Sequence, residues 1–156
     1  MPKVKDYMCK NVFFVRPDFS IFDVAKIFWE NRIAGAPVVE KGKIIGVVSV
    51  SDIVRFMTIK LADFEDMDST PSMSMLLINA AKMGDSYLKF KKSLDNITKT
   101  KIKHVMSKNV ISIEPEANLF EAAELMDKHD INRLPVVEKG KLVGIICRED
   151  LMRSLI

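Results

Sequence analysis

The chain contains the same sequence unit twice, and this repeat constrains its architecture more than any other feature. Residues 4–57 align with residues 102–155 at a constant offset of 98 without a gap, and 19 of the 54 paired positions are identical. The run PVVEKGK occurs unchanged at 37–43 and at 135–141. Because a unit of this size is near the lower limit for a self-sufficient core, two such units are expected to pack on each other. The sequence therefore predicts one globular module with internal pseudo-two-fold symmetry.

Composition narrows the class of protein. An apolar content of 48% and a charged content of 29% are typical of a soluble globular domain. We see no uninterrupted apolar run of the ~18 residues that a membrane span needs, and no apolar signal region at the N-terminus, so we expect a cytoplasmic protein without membrane contact. Two cysteines (Cys9 and Cys147) and two histidines (His104 and His129) occupy unmatched positions. We therefore expect free thiols and no metal site.

Each repeat predicts the order strand, helix, strand, strand, helix. In the first copy a short strand over 12–15 precedes a helix that begins at the S-x-x-D signal of Ser20. A strand over 37–40 and a strand over 44–50 flank a glycine turn and form a hairpin, and a second helix begins near Ser51. Helical spacing predicts the following core-facing residues in the three longer helices: Ile21, Val24, Ala25 and Phe28; Leu119, Ala122, Ala123 and Met126; Ile53, Val54 and Met57.

The repeats divide the chain into residues 1–57, an insertion over 58–101, and residues 102–156. An amphipathic stretch over 73–97 predicts at least one helix in the insertion, since a loop of that length without structure would be unusual. Lysines cluster over 89–108. A solvated helix face explains this cluster better than a nucleic-acid interface, because no base-reading module accompanies it.

A carboxylate stands where the last strand of each repeat becomes a helix, at Asp52 and Asp150. A carboxylate there can satisfy unpaired N–H groups of the helix N-terminus. It can also accept hydrogen bonds from two adjacent hydroxyls, such as those of a ribose. The spacing alone leaves both interpretations open.

Each repeat follows the motifs M-x-x-x-V and P, then a predicted helix, then P-V-V-E-x-G-x-h-h-G-h-h-[S/T]-x-x-D, where h is a hydrophobic residue and the second copy has Cys147 at the [S/T] position. This pattern, present twice in tandem, closely resembles the CBS domain family, named after cystathionine β-synthase. The resemblance covers both repeats and excludes 58–101. It implies an α/β (α+β) fold in which two pseudo-symmetric β-α-β-β-α units pack sheet to sheet, with a helical insertion between them. It also implies clefts between the repeats that bind AMP, ADP, ATP or S-adenosylmethionine, and frequent homodimers.

The resemblance places ligand-binding residues in both copies. The family's ribose-binding aspartate falls on Asp52 and Asp150, and its hydroxyl residue falls on Ser49 but is replaced by Cys147 in the second copy. The residues before the Pro-Val-Val strand are implied to line the adenine pocket. The full set is Ile33, Ala34, Ser49 and Asp52 in the first copy, and Ser112, Ile131, Asn132, Arg133, Arg148 and Asp150 in the second.

The two copies differ at three places that matter for ligand recognition. Gly35, Val50 and Phe14 in the first copy correspond to Arg133, Arg148 and Ser112 in the second. A guanidinium offers a fork of donors suited to phosphate oxygens. We therefore expect the stronger nucleotide site on the second copy, built on Ser112, Arg133 and Asp150. Arg148 is expected to contribute there or to a ligand near Ser49 and Asp52 of the first copy. Solvated surface or intramolecular pairing is the simpler explanation for both arginines.

These observations favour a regulatory or sensor module over two other classes. An enzyme is not expected, because the sequence shows no nucleophile–base constellation and no glycine-rich phosphate loop, and no catalytic residue or required cofactor is predicted. A nucleic-acid-binding protein that uses 89–108 is the alternative. Any regulated target would be another polypeptide.

Overall fold

The structure is a computed structural model and describes residues 1–62 and 84–156. Those residues form six α-helices and four β-strands, together with a 3₁₀ turn. The helices are α1 (Val4–Tyr7), α2 (Ile21–Asn31), α3 (Val50–Lys60), α4 (Gly84–Lys99), α5 (Leu119–His129) and α6 (Arg148–Arg153), and the 3₁₀ turn is Ile102–His104. The strands are β1 (Gly35–Glu40), β2 (Lys43–Ser49), β3 (Arg133–Glu138) and β4 (Lys141–Cys147).

Each repeat contributes one tight β-hairpin, as its glycine turn predicts. The two residues between β1 and β2 are Lys41 and Gly42, with φ angles of 53° and 79°. Lys139 and Gly140 connect β3 and β4 with φ angles of 52° and 80°. Two consecutive positive φ angles give a turn whose twist matches the right-handed twist of the flanking strands. The shared K-G dipeptide therefore sets the same hairpin twice.

The two hairpins join into one antiparallel sheet of order β1-β2-β4-β3. β2 and β4 meet with Lys43 opposite Lys141, and the amides of Ile44 and Leu142 each donate across this pair to a turn glycine at 3.4 Å. The predicted α+β fold built from two related units is confirmed. The expected sheet-to-sheet packing takes a more specific form, in which the two halves share one four-stranded sheet.

The strand predicted over 12–15 is reduced to a single bridge. The amide of Val15 donates to the carbonyl of Pro37 at 3.0 Å, and Val39 donates back to Val15 at 2.9 Å. To extend this parallel ladder towards the C-terminus, the backbone nitrogen of Pro17 would have to donate the next hydrogen bond. To extend it towards the N-terminus, the backbone nitrogen of Pro37 would have to donate. Proline has no N–H, so the parallel ladder stops on both sides of Val15.

The second repeat shows the same truncated strand. Ile113 donates to the carbonyl of Pro135 at 3.0 Å and accepts from Val137 at 2.9 Å. Pro115 and Pro135 take the places of Pro17 and Pro37. The repeated prolines therefore explain why the first element of each unit is one bridge rather than a strand.

The two long helices that open the repeats begin where their capping signals predict. Ser20 Oγ accepts from the amide of Asp23 at 3.1 Å, and the Asp23 carboxylate accepts from the amide of Ser20 at 3.0 Å. This backbone hydrogen bond, with that to the Ser20 hydroxyl, lowers the pKa of Asp23. Asn118 Oδ1 accepts from the amide of Glu121 at 2.9 Å at the start of α5.

The predicted core faces are mostly correct, with two errors. The buried members of the predicted set are Ile21, Val24, Phe28, Ile53, Leu119, Ala122 and Met126. Ala25 and Val54 were expected in the core but are exposed, and Ala123 and Met57 are half-buried. The buried stripe of α2 is narrow, so a residue one position beyond Val24 already lies on the open side of the helix.

The chain forms two compact units. One unit comprises Met1–Pro17, Gly35–Val48 and Met106–Ile156, and contains the sheet. Its core is centred on the fully buried side chains of Leu134 and Ile146.

The other unit comprises Asp18–Ala34 and Ser49–Val105, within which α4 contacts α2 and α3. Ile97 of α4 and Ile102 are buried there. Helix α4 confirms the prediction of at least one helix in 58–101, while 73–83 of the amphipathic stretch lies outside the described residues.

The first residues of each repeat pair with the last strand of the other repeat. Cys9 exchanges backbone hydrogen bonds with Ile145 at 2.8 and 2.9 Å, and Ser107 does so with Val47 at 2.8 and 2.9 Å. The contact is reciprocal, so each repeat contributes one strand position to the hairpin of its neighbour. This exchange, all of it inside the sheet-containing unit, was not foreseen from the sequence.

An ion cluster fastens the N-terminal segment to the loop before α5. Lys3 and Lys5 both donate to the carboxylate of Glu116, with a Lys5–Glu116 distance of 2.6 Å. These two hydrogen bonds lower the pKa of Glu116 to about 2, and the same contact raises the pKa of Lys5. All three side chains are roughly half exposed, so salt will screen the cluster.

Replacing Glu116 with glutamine is expected to cost a small amount of stability in a pH-dependent way. The folded-state pKa lies below the ordinary value of 4.5, so the stabilisation is full above pH 4.5 and is lost as the pH falls towards 2. Thermal melts of Glu116→Gln and wild type should differ at pH 6 and converge near pH 2. A gap in melting temperature that is constant over this range would contradict the assignment.

Candidate functional site

In the first repeat, Ser49 and Asp52 form a reciprocal cap at the start of α3. The amide and the hydroxyl of Ser49 donate to Asp52 Oδ2 at 2.9 and 3.0 Å, and the amide of Asp52 donates to Ser49 Oγ at 3.2 Å. The helix therefore begins at Val50, slightly before the predicted start near Ser51. Asp52 Oδ1 lies 3.4 Å from a guanidinium nitrogen of Arg55. One carboxylate oxygen is fixed by the cap, and the other retains acceptor capacity.

In the second repeat the same cap lacks its hydroxyl. The amide of Cys147 donates to Asp150 Oδ2 at 2.9 Å, and Cys147 has no hydroxyl that could donate to this carboxylate as Ser49 does to Asp52. Burial raises the pKa of the Cys147 thiol, against a smaller opposing effect of Arg133. Asp150 Oδ2 thus accepts one bond from this cap where Asp52 Oδ2 accepts two. The replacement of serine by cysteine therefore leaves the Asp150 carboxylate with more free acceptor capacity.

The segment before each hairpin lies directly beside this carboxylate turn. The amide of Val50 donates to the carbonyl of Ala34 at 2.9 Å, and the amide of Arg148 donates to the carbonyl of Asn132 at 3.0 Å. Each predicted pair of adenine-lining and ribose-binding segments is therefore brought together within its own repeat. Ile33 and Ile131 are half-buried, whereas Ala34 and Asn132 are exposed.

Arg148 is engaged with backbone carbonyls. Its Nε donates to the carbonyl of Ile131 and a terminal nitrogen donates to the carbonyl of Met126, both at 3.3 Å. These carbonyls lie at and just beyond the C-terminal turn of α5, where orphan acceptors and the helix dipole favour a cation. The intramolecular interpretation of Arg148 is therefore the one that the geometry supports.

The other two asymmetric positions of the second copy are open to solvent. Arg133 is exposed at the first position of β3, opposite Cys147 in the ladder. Ser112 is exposed next to the Ile113 bridge, and within 1–62 and 84–156 no hydrogen bond links it to Asp150. Arg133 thus lies close to the Asp150 turn, whereas Ser112 is not joined to it.

The first repeat carries a surface groove. It has a volume of about 810 Å³ between α2 and α3. It is lined by Ala25, Phe28, Trp29, Glu30, Arg32, Ile33, Val50 and Ile53. In the second repeat Arg148 replaces Val50, and its guanidinium reaches across the corresponding helix end. Among these residues, the sequence predicted Ile33 as a ligand-binding residue and marked Val50 as different from Arg148 in the second repeat. The difference between Trp29 and Asp127 at equivalent positions could also have indicated the groove.

Comparison with known proteins decides the family. The family model described as the CBS domain matches residues 4–59 and 102–156. The chain belongs to the CBS domain family. Each match covers one repeat, so the protein contains a tandem CBS pair, and the resemblance inferred from the sequence is confirmed.

The relatives of this CBS pair include proteins of similar and of greater length. The uncharacterised protein MJ1426 of Methanocaldococcus jannaschii is 39% identical over 98% of this chain and 90% of its own length. Two longer proteins of the same organism are matched over 39% and 44% of their lengths, so the chain corresponds to a part of them.

Solved structures share the fold of this CBS pair. CBSX2 in complex with AMP has a TM-score of 0.70 at 23% identity, over 99% of this chain and 96% of that one. The CBS domain pair of protein MJ0100, in complex with 5′-methylthioadenosine and S-adenosyl-L-methionine, has a TM-score of 0.65 at 24% identity, with the same coverage. Both likenesses establish the fold.

Neither a membrane-spanning helix nor a metal-ligand cluster occurs among the described residues of the CBS pair. Over 1–62 and 84–156, no helix has the length and apolar character to cross a membrane, and no three potential metal-ligating side chains of His, Cys, Asp or Glu come together. The described lysines of the 89–108 cluster are exposed, in keeping with a solvated face: Lys89, Lys91, Lys92, Lys99, Lys101, Lys103 and Lys108.

Proposed function

We propose that this CBS pair is a regulatory module that binds an adenosine-containing ligand, drawn from AMP, ADP, ATP and S-adenosylmethionine. Two proteins of the same fold bind AMP in one case, and 5′-methylthioadenosine with S-adenosyl-L-methionine in the other. These ligands share the adenosine group and differ at the 5′ position. The proposal is therefore that the repeats bind the adenosine group of the ligand.

The observation that carries the proposal is the duplicated carboxylate turn. Asp52 and Asp150 have side chains 19% and 20% exposed, and each has one oxygen held at 2.9 Å by the amide that caps its helix. Such a preorganised carboxylate accepts a hydrogen bond from a ribose hydroxyl without first losing side-chain freedom. The proposal assigns recognition of the purine edge to the neighbouring main chain at Ala34 and Asn132.

The proposal assigns different roles to the residues of the second repeat. Asp150 accepts the ribose hydroxyls, Ile131 and Asn132 line the base, and the exposed guanidinium of Arg133 binds a 5′ phosphate when one is present. Ser112 contributes a hydroxyl near the base. Arg148 positions Ile131 through its carbonyl rather than binding the ligand. Ile33, Ala34, Ser49 and Asp52 form the corresponding site of the first repeat, which lacks both arginines.

The ligand would regulate the module by binding one of its two conformational states more tightly than the other. A partner polypeptide would sense the resulting change of state. No catalytic role and no required cofactor are assigned. A cytoplasmic location and self-association as a homodimer belong to the same proposal. The nucleic-acid alternative through 89–108 gains no specific support from the described surface.

A ligand panel tests the proposal directly. Thermal melts with AMP, ADP, ATP, 5′-methylthioadenosine and S-adenosylmethionine should show stabilisation by at least one of them, and GMP serves as the control with the same ribose and phosphate. A ligand present at ~100 times its dissociation constant stabilises by about 2.7 kcal/mol, which shifts the melting temperature visibly. A panel in which no adenosine compound exceeds GMP would overturn the proposal.

A further inference from the structure

Arg153, the last residue of α6, contacts two different parts of the fold. A terminal nitrogen of its guanidinium donates to the backbone carbonyl of Tyr7 at 2.8 Å, and the guanidinium carbon lies 5.7 Å from the centre of the Tyr7 ring. The same nitrogen lies 3.8 Å from Asp150 Oδ1. All three residues belong to the sheet-containing unit. Arg153 therefore connects the carboxylate that the proposal assigns to the ribose with the last residue of α1.

The two oxygens of the Asp150 carboxylate have different neighbours. Oδ2 accepts from the amide of Cys147 at 2.9 Å, whereas Oδ1 faces Arg153. At 3.8 Å the guanidinium attracts the carboxylate without forming a short hydrogen bond, so Oδ1 keeps lone pairs for a ligand hydroxyl. The amide and the guanidinium together restrain both oxygens. Arg153 thus orients the oxygen that is available to the ribose.

The contact with Tyr7 sets this ion pair apart from an ordinary surface pair. The Arg153 side chain is 60% exposed, and an isolated pair with such exposure contributes little, because ordering a long side chain offsets the attraction. Tyr7 already orders the guanidinium through its carbonyl and its ring. The pair with Asp150 therefore forms with a smaller loss of side-chain freedom.

Tyr7 belongs to a short segment that the second repeat holds on both sides. Before it, the amide of Val4 donates to the carbonyl of Ala117 at 2.9 Å, and after it comes the backbone bridge to β4. Inside the segment, the amide of Met8 donates to the carbonyl of Val4 at 2.9 Å. Loss of Arg153 would leave the terminal carbonyl of α1 without this donor. The Met8 amide is therefore a local reporter of the contact.

The first repeat has the same ion pair without the bridge. Arg55 corresponds to Arg153 and lies 3.4 Å from Asp52 Oδ1. Val105 takes the place of Tyr7 and has no ring. Across 1–62 and 84–156, no hydrogen bond joins Arg55 to Val105. The connection from the carboxylate to the first residues of a repeat is thus a feature of the second-repeat site.

We infer that Arg153 positions Asp150 for the ribose and couples occupation of this carboxylate to the order of residues 4–8. A ligand that restrains Asp150 also restrains Arg153 against Tyr7, and by linkage the contact with Tyr7 favours the ligand by the same factor. The ligand half of this inference rests on the proposed function. The coupling of Asp150 to Tyr7 through Arg153 does not.

Hydrogen exchange of the Met8 amide tests the coupling without ligand. Arg153→Ala should speed this exchange about tenfold, as expected for the loss of a charged hydrogen bond. Asp150→Asn should speed it about threefold in the wild-type background and not at all in the Arg153→Ala background, because its effect passes through Arg153. Additive effects of the two substitutions would overturn the inference.

Two control variants separate this coupling from a general effect of charge. Arg55→Ala removes the equivalent arginine of the first repeat, and Glu149→Gln removes an acidic charge from the same turn of α6 as Asp150. Neither should change the exchange rate of Met8, and circular dichroism confirms that each variant is folded. An increase for Glu149→Gln equal to that for Asp150→Asn would contradict the inference.

The same exchange measurement with AMP and with S-adenosylmethionine as probes tests the coupling to binding. A saturating probe should slow the exchange of Met8 about threefold in wild type and leave it unchanged in Arg153→Ala. Calorimetry should show that Arg153→Ala weakens binding of the probe by a similar factor. Equal protection of Met8 in both proteins overturns the inference and leaves the proposed function intact. If neither probe binds, the proposed function fails, and the ligand-free exchange rates still decide the coupling.

Discussion

Replacing Gly46 with alanine is expected to lower the free energy of unfolding by about 3 kcal/mol. A Cβ at this position would lie 2.9 Å from the carbonyl oxygen of Ser107 and 2.7 Å from the sulfur of Met106. The methionine can move aside, but the carbonyl belongs to the bridge that joins Ser107 to Val47. The added methyl group must therefore push the segment around Ser107 away from β2. Urea denaturation of the purified variant measures the loss.

Three further variants show whether the exchanged contact is the cause. Gly144→Ala should cost a similar amount, because its Cβ would lie 3.0 Å from the carbonyl oxygen of Cys9 and 2.6 Å from the sulfur of Met8. Lys43→Ala on the exposed start of β2 is the control and should change stability by less than about 0.5 kcal/mol. Met106→Ala combined with Gly46→Ala should recover only part of the loss. A Gly46→Ala variant as stable as the Lys43→Ala control would refute the argument.

Replacing Asp150 with asparagine is expected to weaken adenosine-ligand binding roughly 10- to 100-fold. The expectation follows from the 1.5–3 kcal/mol that a hydrogen bond to a charged group typically contributes. Asparagine keeps the shape of the side chain and can still accept from the amide of Cys147, so the cap is largely preserved. Calorimetric titration with the ligand selected by the thermal panel measures the change.

The controls use the same chemistry at other helix starts. Asp23→Asn alters an equivalent cap at the start of α2, to which the proposal assigns no ligand contact, and should leave the affinity unchanged. Asp52→Asn should weaken binding to the first repeat by a similar factor and therefore reports whether one or both repeats bind. If Asp23→Asn and Asp150→Asn weakened binding equally, the loss would reflect folding rather than a contact with the ligand.

Local sequence signals predicted the elements of this fold well. The duplicated PVVEKGK run identified both hairpins, and the K-G dipeptide places two consecutive positive φ angles where a two-residue turn requires them. The S-x-x-D signal of Ser20 located the start of α2. Such signals work because a cap or a tight turn involves atoms only a few residues apart.

Three features escaped prediction because they depend on contacts between distant segments. Whether Ala25 is buried depends on where α3 lies, and α3 leaves it at the edge of a groove. The sequence left Arg148 with two interpretations, phosphate binding or intramolecular pairing, and the carbonyls that it contacts at the end of α5 are brought to it only by the fold. The single-residue bridge at Val15 requires Pro17 and Pro37 to face the same ladder, which no local pattern reveals.

The repeat fixed the family, the order of the elements and the carboxylate turns, because identical local sequences make identical caps and hairpins. Tertiary packing settled which differences between the repeats matter. Val50 leaves a groove open beside an exposed tryptophan, whereas Arg148 reaches across the corresponding helix end. Both repeats have glycine at this position, Gly46 and Gly144, because the first residues of each repeat pack against the last strand of the other. That reciprocal contact joins residues about 60 and 135 positions apart, a distance over which only the folded chain brings groups together.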